Sequence, residues 1–357
     1  MNICIVGQYP PQVGGIATYT ANVKDKLERL GHNVYVLTYP SNQKRADNIF
    51  EARTINIPAL RGLSFILSSY RKLLKIVDKY DIDIIHANYI IPPALVSVLV
   101  KRKRNIRIIT SVHGSDINIL ANNKILKRLI KYTLTNSDDV YFVSEKLYNK
   151  ALELDIENLE KKSTVLSNTV DTNKFKPSNT DKTPLKEKYA KKLVIFIGNL
   201  VEQKGLKYLL EAKKLSTTDY ALLIYGDGAE YNNLQRQINQ DNIEDAYLLG
   251  KTTTPESIIP QSDIMVLPSI SEGASIVALE AMACAKPLIA TDTGNIKEVI
   301  TPNENGVIVK VRDSKELSKQ IDCLIDDEEL RNKLGTNARK TIIEKYSKLK
   351  IPYIENK

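Results

Sequence analysis

Two carboxylates, Glu272 and Glu280, stand eight residues apart in Ser271-Glu272-Gly273-Ala274-Ser275-Ile276-Val277-Ala278-Leu279-Glu280-Ala281-Met282-Ala283. The first falls in a Gly-containing turn, the second inside an apolar run that reads as a helix. A strand-like segment, Ile264-Met265-Val266-Leu267-Pro268-Ser269, precedes them. Strand, short turn and helix put a helix N-terminus, with its free N–H groups and partial positive charge, at the carboxyl edge of a sheet. Phosphate groups bind at such places in open α/β folds. Ser275 lies near the first helical turn. A phosphate at the helix tip would meet one carboxylate on each side, and carboxylates accept well from vicinal hydroxyls. A nucleotide sugar has hydroxyl pairs on both sides of its diphosphate.

Other candidates also end strand-like segments. Pro10-Pro11-Gln12-Val13-Gly14-Gly15-Ile16-Ala17 follows the first strand, and Gly14 and Gly15 let backbone approach a ligand closely. The loop lacks the G-x-G-x-x-G spacing of dinucleotide sites. Thr110-Ser111-Val112-His113-Gly114-Ser115-Asp116 brings His113 and Asp116 to a strand tip. His86 also ends a strand and is a further candidate, whereas His32 reads as structural. Gly198-Asn199-Leu200-Val201-Glu202-Gln203-Lys204-Gly205 carries Lys204 just beyond another strand, and Leu249-Gly250-Lys251 adds a further cation.

In order along the chain, these motifs resemble the retaining nucleotide-sugar glycosyltransferases of family 4, or glycosyl transferases group 1. The resemblance implies the GT-B fold: α/β, with two Rossmann-like parallel-sheet domains facing a central cleft. It implies that Glu272 contacts the donor sugar and Glu280 the ribose, that His113 lies beside the reacting sugar carbon, and that Lys204 grips the diphosphate. Catalytic roles would thus fall to His113, Glu272 and Lys204. Gly15, Asn199, Lys204, Lys251, Ser275 and Glu280 would bind the donor, with Gly14, His86 and Asp116 on the acceptor side. One position departs from the family pattern. Asn199 stands where an Arg is expected, and it can donate to one phosphate oxygen but cannot make the bidentate, charged contact. The activity implied is retaining transfer of a hexosyl group without metal or cofactor. The nucleotide sugar is co-substrate, and the acceptor is a glycan or lipid-linked hydroxyl in cell-envelope polysaccharide or glycolipid assembly. A sugar-nucleotide epimerase of the same fold and a basic nucleic-acid-binding module are the rival classes.

Elements able to position such residues alternate along the chain. Apolar strands separated by helical stretches predict a parallel sheet covered on both faces. The first series runs Ile3–Val6, Val34–Thr38, Ile82–Ala87, Ile106–Ser111, Val140–Val143 and Thr164–Leu166, with helices near Thr18–Leu30 and Ser64–Lys79. A second series, Leu193–Gly198, Tyr220–Gly226, Ala246–Leu249, Asp263–Leu267, Pro287–Ala290 and Gly306–Val309, begins after a linker candidate at Pro177-Ser178-Asn179-Thr180. The expected division is 1–170 for the acceptor domain, 171–335 for the donor domain, and 336–357 for a C-terminal helix and tail that returns to the first domain.

A chain of 357 residues is long for one core and natural for two. Its 43% apolar and 26% charged residues are ordinary for a globular protein. No apolar run reaches the roughly 18–20 residues that span a bilayer, and no signal peptide precedes the first strand. The three cysteines have no metal spacing and read as reduced thiols. These features predict a cytoplasmic protein. Residues 1–170 hold 24 Lys+Arg against 15 Asp+Glu, while the remainder is neutral, so the whole +9 belongs to the first half. Such asymmetry suggests an anionic partner. The Lys101–Arg104 cluster and the cations of Lys124–Lys131 read either as solvated helix faces or as a face for anionic lipid at the inner membrane surface. Aromatic residues are only 6% and no recognition motif appears, so no nucleic acid is expected.

Overall fold

The computed structural model describes residues 1–12, 14–55, 58–178 and 183–355, with side chains from residue 62 onward in the helix that starts at Pro58. Val13 of the Gly14–Gly15 loop and Asn179 and Thr180 of the linker candidate lie outside the described residues. The chain divides into two compact units. One is Met1–Ser167 together with the segment from Leu349 onward, and the other is Asn168–Lys348.

In the first unit, strands β1 (Asn2–Val6), β2 (Asn33–Thr38), β3 (Ile49–Glu51), β4 (Ile84–Asn88), β5 (Arg107–Val112), β6 (Asp139–Phe142) and β7 (Ser163–Val165) form one sheet in the order β3-β2-β1-β4-β5-β6-β7. Every pairing is parallel. The central strands are buried along nearly their whole length, which is why they read as continuous apolar runs. β3 is only three residues long and half-buried, and its sequence gives no such run.

In the second unit, β8 (Lys192–Ile197), β9 (Tyr220–Tyr225), β10 (Ala246–Leu248), β11 (Ile264–Leu267), β12 (Leu288–Thr291) and β13 (Val307–Val309) are also all parallel, ordered β10-β9-β8-β11-β12-β13. Strand order reverses beside β1 in the first sheet and beside β8 in the second. Loops leaving the two strands at such a reversal diverge to opposite faces and open a crevice at the carboxyl edge. The boundary expected at residue 335 falls inside the helix Glu328–Lys345, which belongs to the second unit. The segment after it packs in the first, where Ile351 and Tyr353 are buried and Lys26 binds the Leu349 carbonyl and the Glu355 carboxylate.

Candidate functional site

At the reversal of the second sheet, Gly198 and Asn199 follow β8, and Pro268–Ser275 follow β11. A short turn at Glu202–Lys204 ends at Gly205, whose φ of +64° is a left-handed conformation. A Cβ there would strike the carbonyl oxygen of Pro268. That close approach, with the Ile270 N–H donating to the Gln203 carbonyl at 2.7 Å, ties the two loops together. It brings the Lys204 ammonium onto Glu272 Oε1 as an ion pair. Ser269 Oγ donates to the same oxygen at 3.1 Å. Lys204 and Glu272, distant in sequence, are therefore one charge-neutral unit at the carboxyl edge.

The helix Ile276–Ala283 begins directly behind. Ser275 caps it, its Oγ accepting from the Ala278 N–H at 3.3 Å, and Asn295 Oδ1 accepts from the Ser275 N–H at 3.2 Å. All but one of its residues are buried, so it is a core helix whose N-terminus alone meets the edge. Glu280 lies within it and is 7% exposed. Burial pushes its carboxyl up to about 7, with Lys174 acting in the opposite direction and Glu256 reinforcing the rise. Lys174 and Glu256 pair at 3.5 Å. Neither was a candidate in the sequence, because neither belongs to a strand-end motif. Asn199 is exposed beside β8. Lys251, exposed beyond β10, pairs with Asp227 at 3.3 Å.

In the first unit, His113 follows β5. Its ring packs edge-on against Tyr19 at 4.9 Å, and its Nε2 is buried with no hydrogen-bond partner among the described residues. Burial pulls the imidazole down to about 4, so it is neutral at pH 7. Gly14 precedes the helix Gly15–Arg29, with open space where its Cβ would stand.

Two of the acceptor-side candidates are buried. Asp116 is fully buried and accepts from the backbone N–H of His113 at 3.1 Å and Gly114 at 2.8 Å. Its carboxylate fastens the turn that carries His113. His86 is 1% exposed, with Nδ1 at 3.0 Å from the Tyr353 hydroxyl and Nε2 at 2.8 Å from Ser111 Oγ. Both ring nitrogens are in use, so His86 holds the returning segment. A residue missed in the sequence stands nearby. Tyr89, directly after β4, has φ of 98°, and its hydroxyl is 2.6 Å from Ser115 Oγ. A bulky residue in that conformation is strained, and such strain concentrates at functional sites.

Two parallel-sheet units, each with a strand-order reversal, define a two-domain α/β protein. Family models agree over both halves: residues 13–174 match Glycosyltransferase Family 4, and residues 177–341 match Glycosyl transferases group 1. The chain is 32% identical to an uncharacterized glycosyltransferase of Methanocaldococcus jannaschii over 95% of this chain and 92% of that protein. It is 31% identical to the N-acetyl-alpha-D-glucosaminyl L-malate synthase of Bacillus anthracis over 96% and 92%. Anabaena HepE, solved with UDP-glucose, superimposes with a TM-score of 0.82 at 19% identity, covering 97% of this chain and 95% of that one. The chain belongs to the family 4, group 1 glycosyltransferases and has the GT-B fold. It is a nucleotide-sugar glycosyltransferase, and the epimerase and nucleic-acid readings are not favoured.

Proposed function

We propose that this enzyme moves a hexosyl group from a nucleoside-diphosphate sugar to a hydroxyl acceptor with retention of configuration and without a metal. The observation that carries this is the Lys204–Glu272 pair set beside the capped N-terminus of Ile276–Ala283. An entering diphosphate takes the Lys204 ammonium and releases Glu272 to accept from sugar hydroxyls. Lys204 and the helix N–H groups then stabilise the diphosphate as the anomeric C–O bond breaks. The acceptor oxygen attacks from the same face, and its proton passes to the leaving phosphate oxygen. Glu280, once ionised, accepts from the ribose. His113, neutral at working pH, donates or accepts one hydrogen bond beside the reacting carbon. Gly14 and Gly15 offer backbone N–H groups, and Lys251 lies on the nucleobase side. A thermal-shift screen against uridine, guanosine and adenosine diphosphate sugars is the test, because a bound ligand raises apparent stability. One base should stabilise the protein, and no shift with any of them would sink the proposal.

For the acceptor we propose a glycan or lipid-linked hydroxyl at the inner face of a cell membrane, to which the cytoplasmic enzyme attaches peripherally. No helix among the described residues is long and apolar enough to cross a membrane. In the Lys101–Arg104 cluster, Lys101 pairs with Asp138 and Arg104 with Asp78, so Arg102 and Lys103 supply the exposed charge. Lys124, Lys127 and Arg128 are exposed on the helix Lys124–Asn136, with Lys131 half-buried. A second reading takes a small soluble carboxylate as acceptor. It is favoured by the full-length relative named as an L-malate synthase and would use the same positive charge. Product formation from purified donor with malate, against a lipid-linked sugar, separates the two.

A further inference from the structure

In the first unit the helix Leu95–Lys101 packs against both Pro58–Tyr80 and Lys124–Asn136. Between the first two lies a groove of about 830 Å³ lined by Ile66, Leu67, Tyr70 and Leu99, with Arg71, Arg102 and Lys103 around it. Leu67 is 66% exposed, and Leu63, one helical turn earlier, is 54% exposed. Two large aliphatic side chains on one exposed helix face beside an apolar groove form a patch of the kind that marks an interaction site. No acidic side chain lines the groove among the described residues; Asp78, on the same helix as the leucines, is paired with Arg104, and Asp138 with Lys101. The groove therefore presents apolar surface framed by exposed cations. A second copy of the chain would bring the same cations, and the half that carries all of the +9, against themselves. An anionic bilayer meets both needs, with phosphates for the three cations and hydrocarbon for the leucines.

We propose that this groove is a shallow lipid-insertion site, with Leu63 and Leu67 entering the boundary of an anionic membrane and Arg71, Arg102 and Lys103 binding its headgroups. This rests on the membrane attachment proposed above but adds apolar insertion to it, at a place distinct from the Lys124–Lys131 cations.

The chain contains no tryptophan, so Leu67→Trp places a single reporter in the groove of the full-length protein. Ile343→Trp, on the helix Glu328–Lys345 of the second unit and 48% exposed, is the control. Each is mixed with vesicles of phosphatidylcholine alone or with equimolar phosphatidylglycerol, and sedimentation is followed in parallel. The Leu67→Trp emission should shift to the blue only with the anionic vesicles and be quenched by acyl-chain bromination, while Ile343→Trp stays unchanged. Leu67→Gln should weaken partitioning about tenfold. If neither the wild type nor the variants sediment with anionic vesicles, the attachment itself fails and insertion with it. Sedimentation with no blue shift at Leu67→Trp leaves the attachment standing and overturns insertion. A blue shift without vesicles that grows with protein concentration would make the groove a subunit interface and also overturn the proposal.

Discussion

Glu280 has a charge that its burial decides. Its carboxyl is raised from an ordinary 4.5 to about 7. A raised acid favours the folded state while protonated, and that stability is lost as pH climbs through the folded value. Glu280→Gln should therefore match the wild type near pH 5. Above about pH 8 it should be more stable without ligand, by on the order of 2–4 kcal/mol. The same variant should bind nucleoside diphosphate more weakly above pH 7, by about 1.5–3 kcal/mol, because a charged acceptor is gone. Melting curves with and without nucleotide across that range test both halves; a pH-independent difference would mean the carboxyl is not buried. In the proposed mechanism Lys204 and Glu272 exchange partners on donor binding, so their variants should differ in kind. Lys204→Ala should weaken donor binding or turnover, whereas Glu272→Ala should mainly lower kcat. Asn199 is exposed at the β8 exit, and Asn199→Arg should tighten donor binding. Calorimetric titration that finds it weaker would show the diphosphate to be neutralised by another group.

The loops that carry these residues are shaped by backbone contacts more than by side chains. Gly205 combines a left-handed φ with a Cβ position occupied by the Pro268 carbonyl, while Gly31, at φ +81°, has open space around it. Gly31→Ala should cost only about 1–2 kcal/mol for the conformation. Gly205→Ala must in addition push the Glu272 loop off the Lys204 turn. It should cost several-fold more and weaken donor binding as well, measured as denaturant midpoints beside nucleotide titrations. Equal costs at the two glycines would mean the loops do not depend on that contact. The strand-end motifs were legible as sequence because parallel strands buried on both faces read as apolar runs, and the helix after β11 because its apolar run follows a Gly turn. What strand ends cannot reveal is which neighbours a side chain meets. The partners of His86, Tyr353 and Ser111, and the two N–H groups that hold Asp116 could therefore not be read from the sequence. The environment of Glu280 was equally invisible, since the charges that act on it, Lys174 and Glu256, come from distant segments.

Across the whole chain, two α/β units and a charge excess confined to one of them could both be read from composition and pattern. The return of the last segment could be expected only from the family resemblance, because nothing in Ile351-Pro352-Tyr353-Ile354 names its partner. Tyr353 donates to or accepts from His86 in a site where both are buried, so Tyr353→Phe leaves a ring nitrogen without a partner. It should destabilise the first unit by about 1–3 kcal/mol while sparing nucleotide binding in the second. Unfolding followed by probes in each unit, with nucleotide titration alongside, checks this; a loss confined to the second unit would contradict it. The same return has a consequence for biosynthesis. His86 leaves the ribosome early, but the hydroxyl that satisfies it is added only after the whole of the second unit has been made. Until then the first unit waits with a buried polar group uncovered. The nascent chain thus cannot complete the first unit before the second is synthesised, and a half-made enzyme should be a better chaperone client than a finished one.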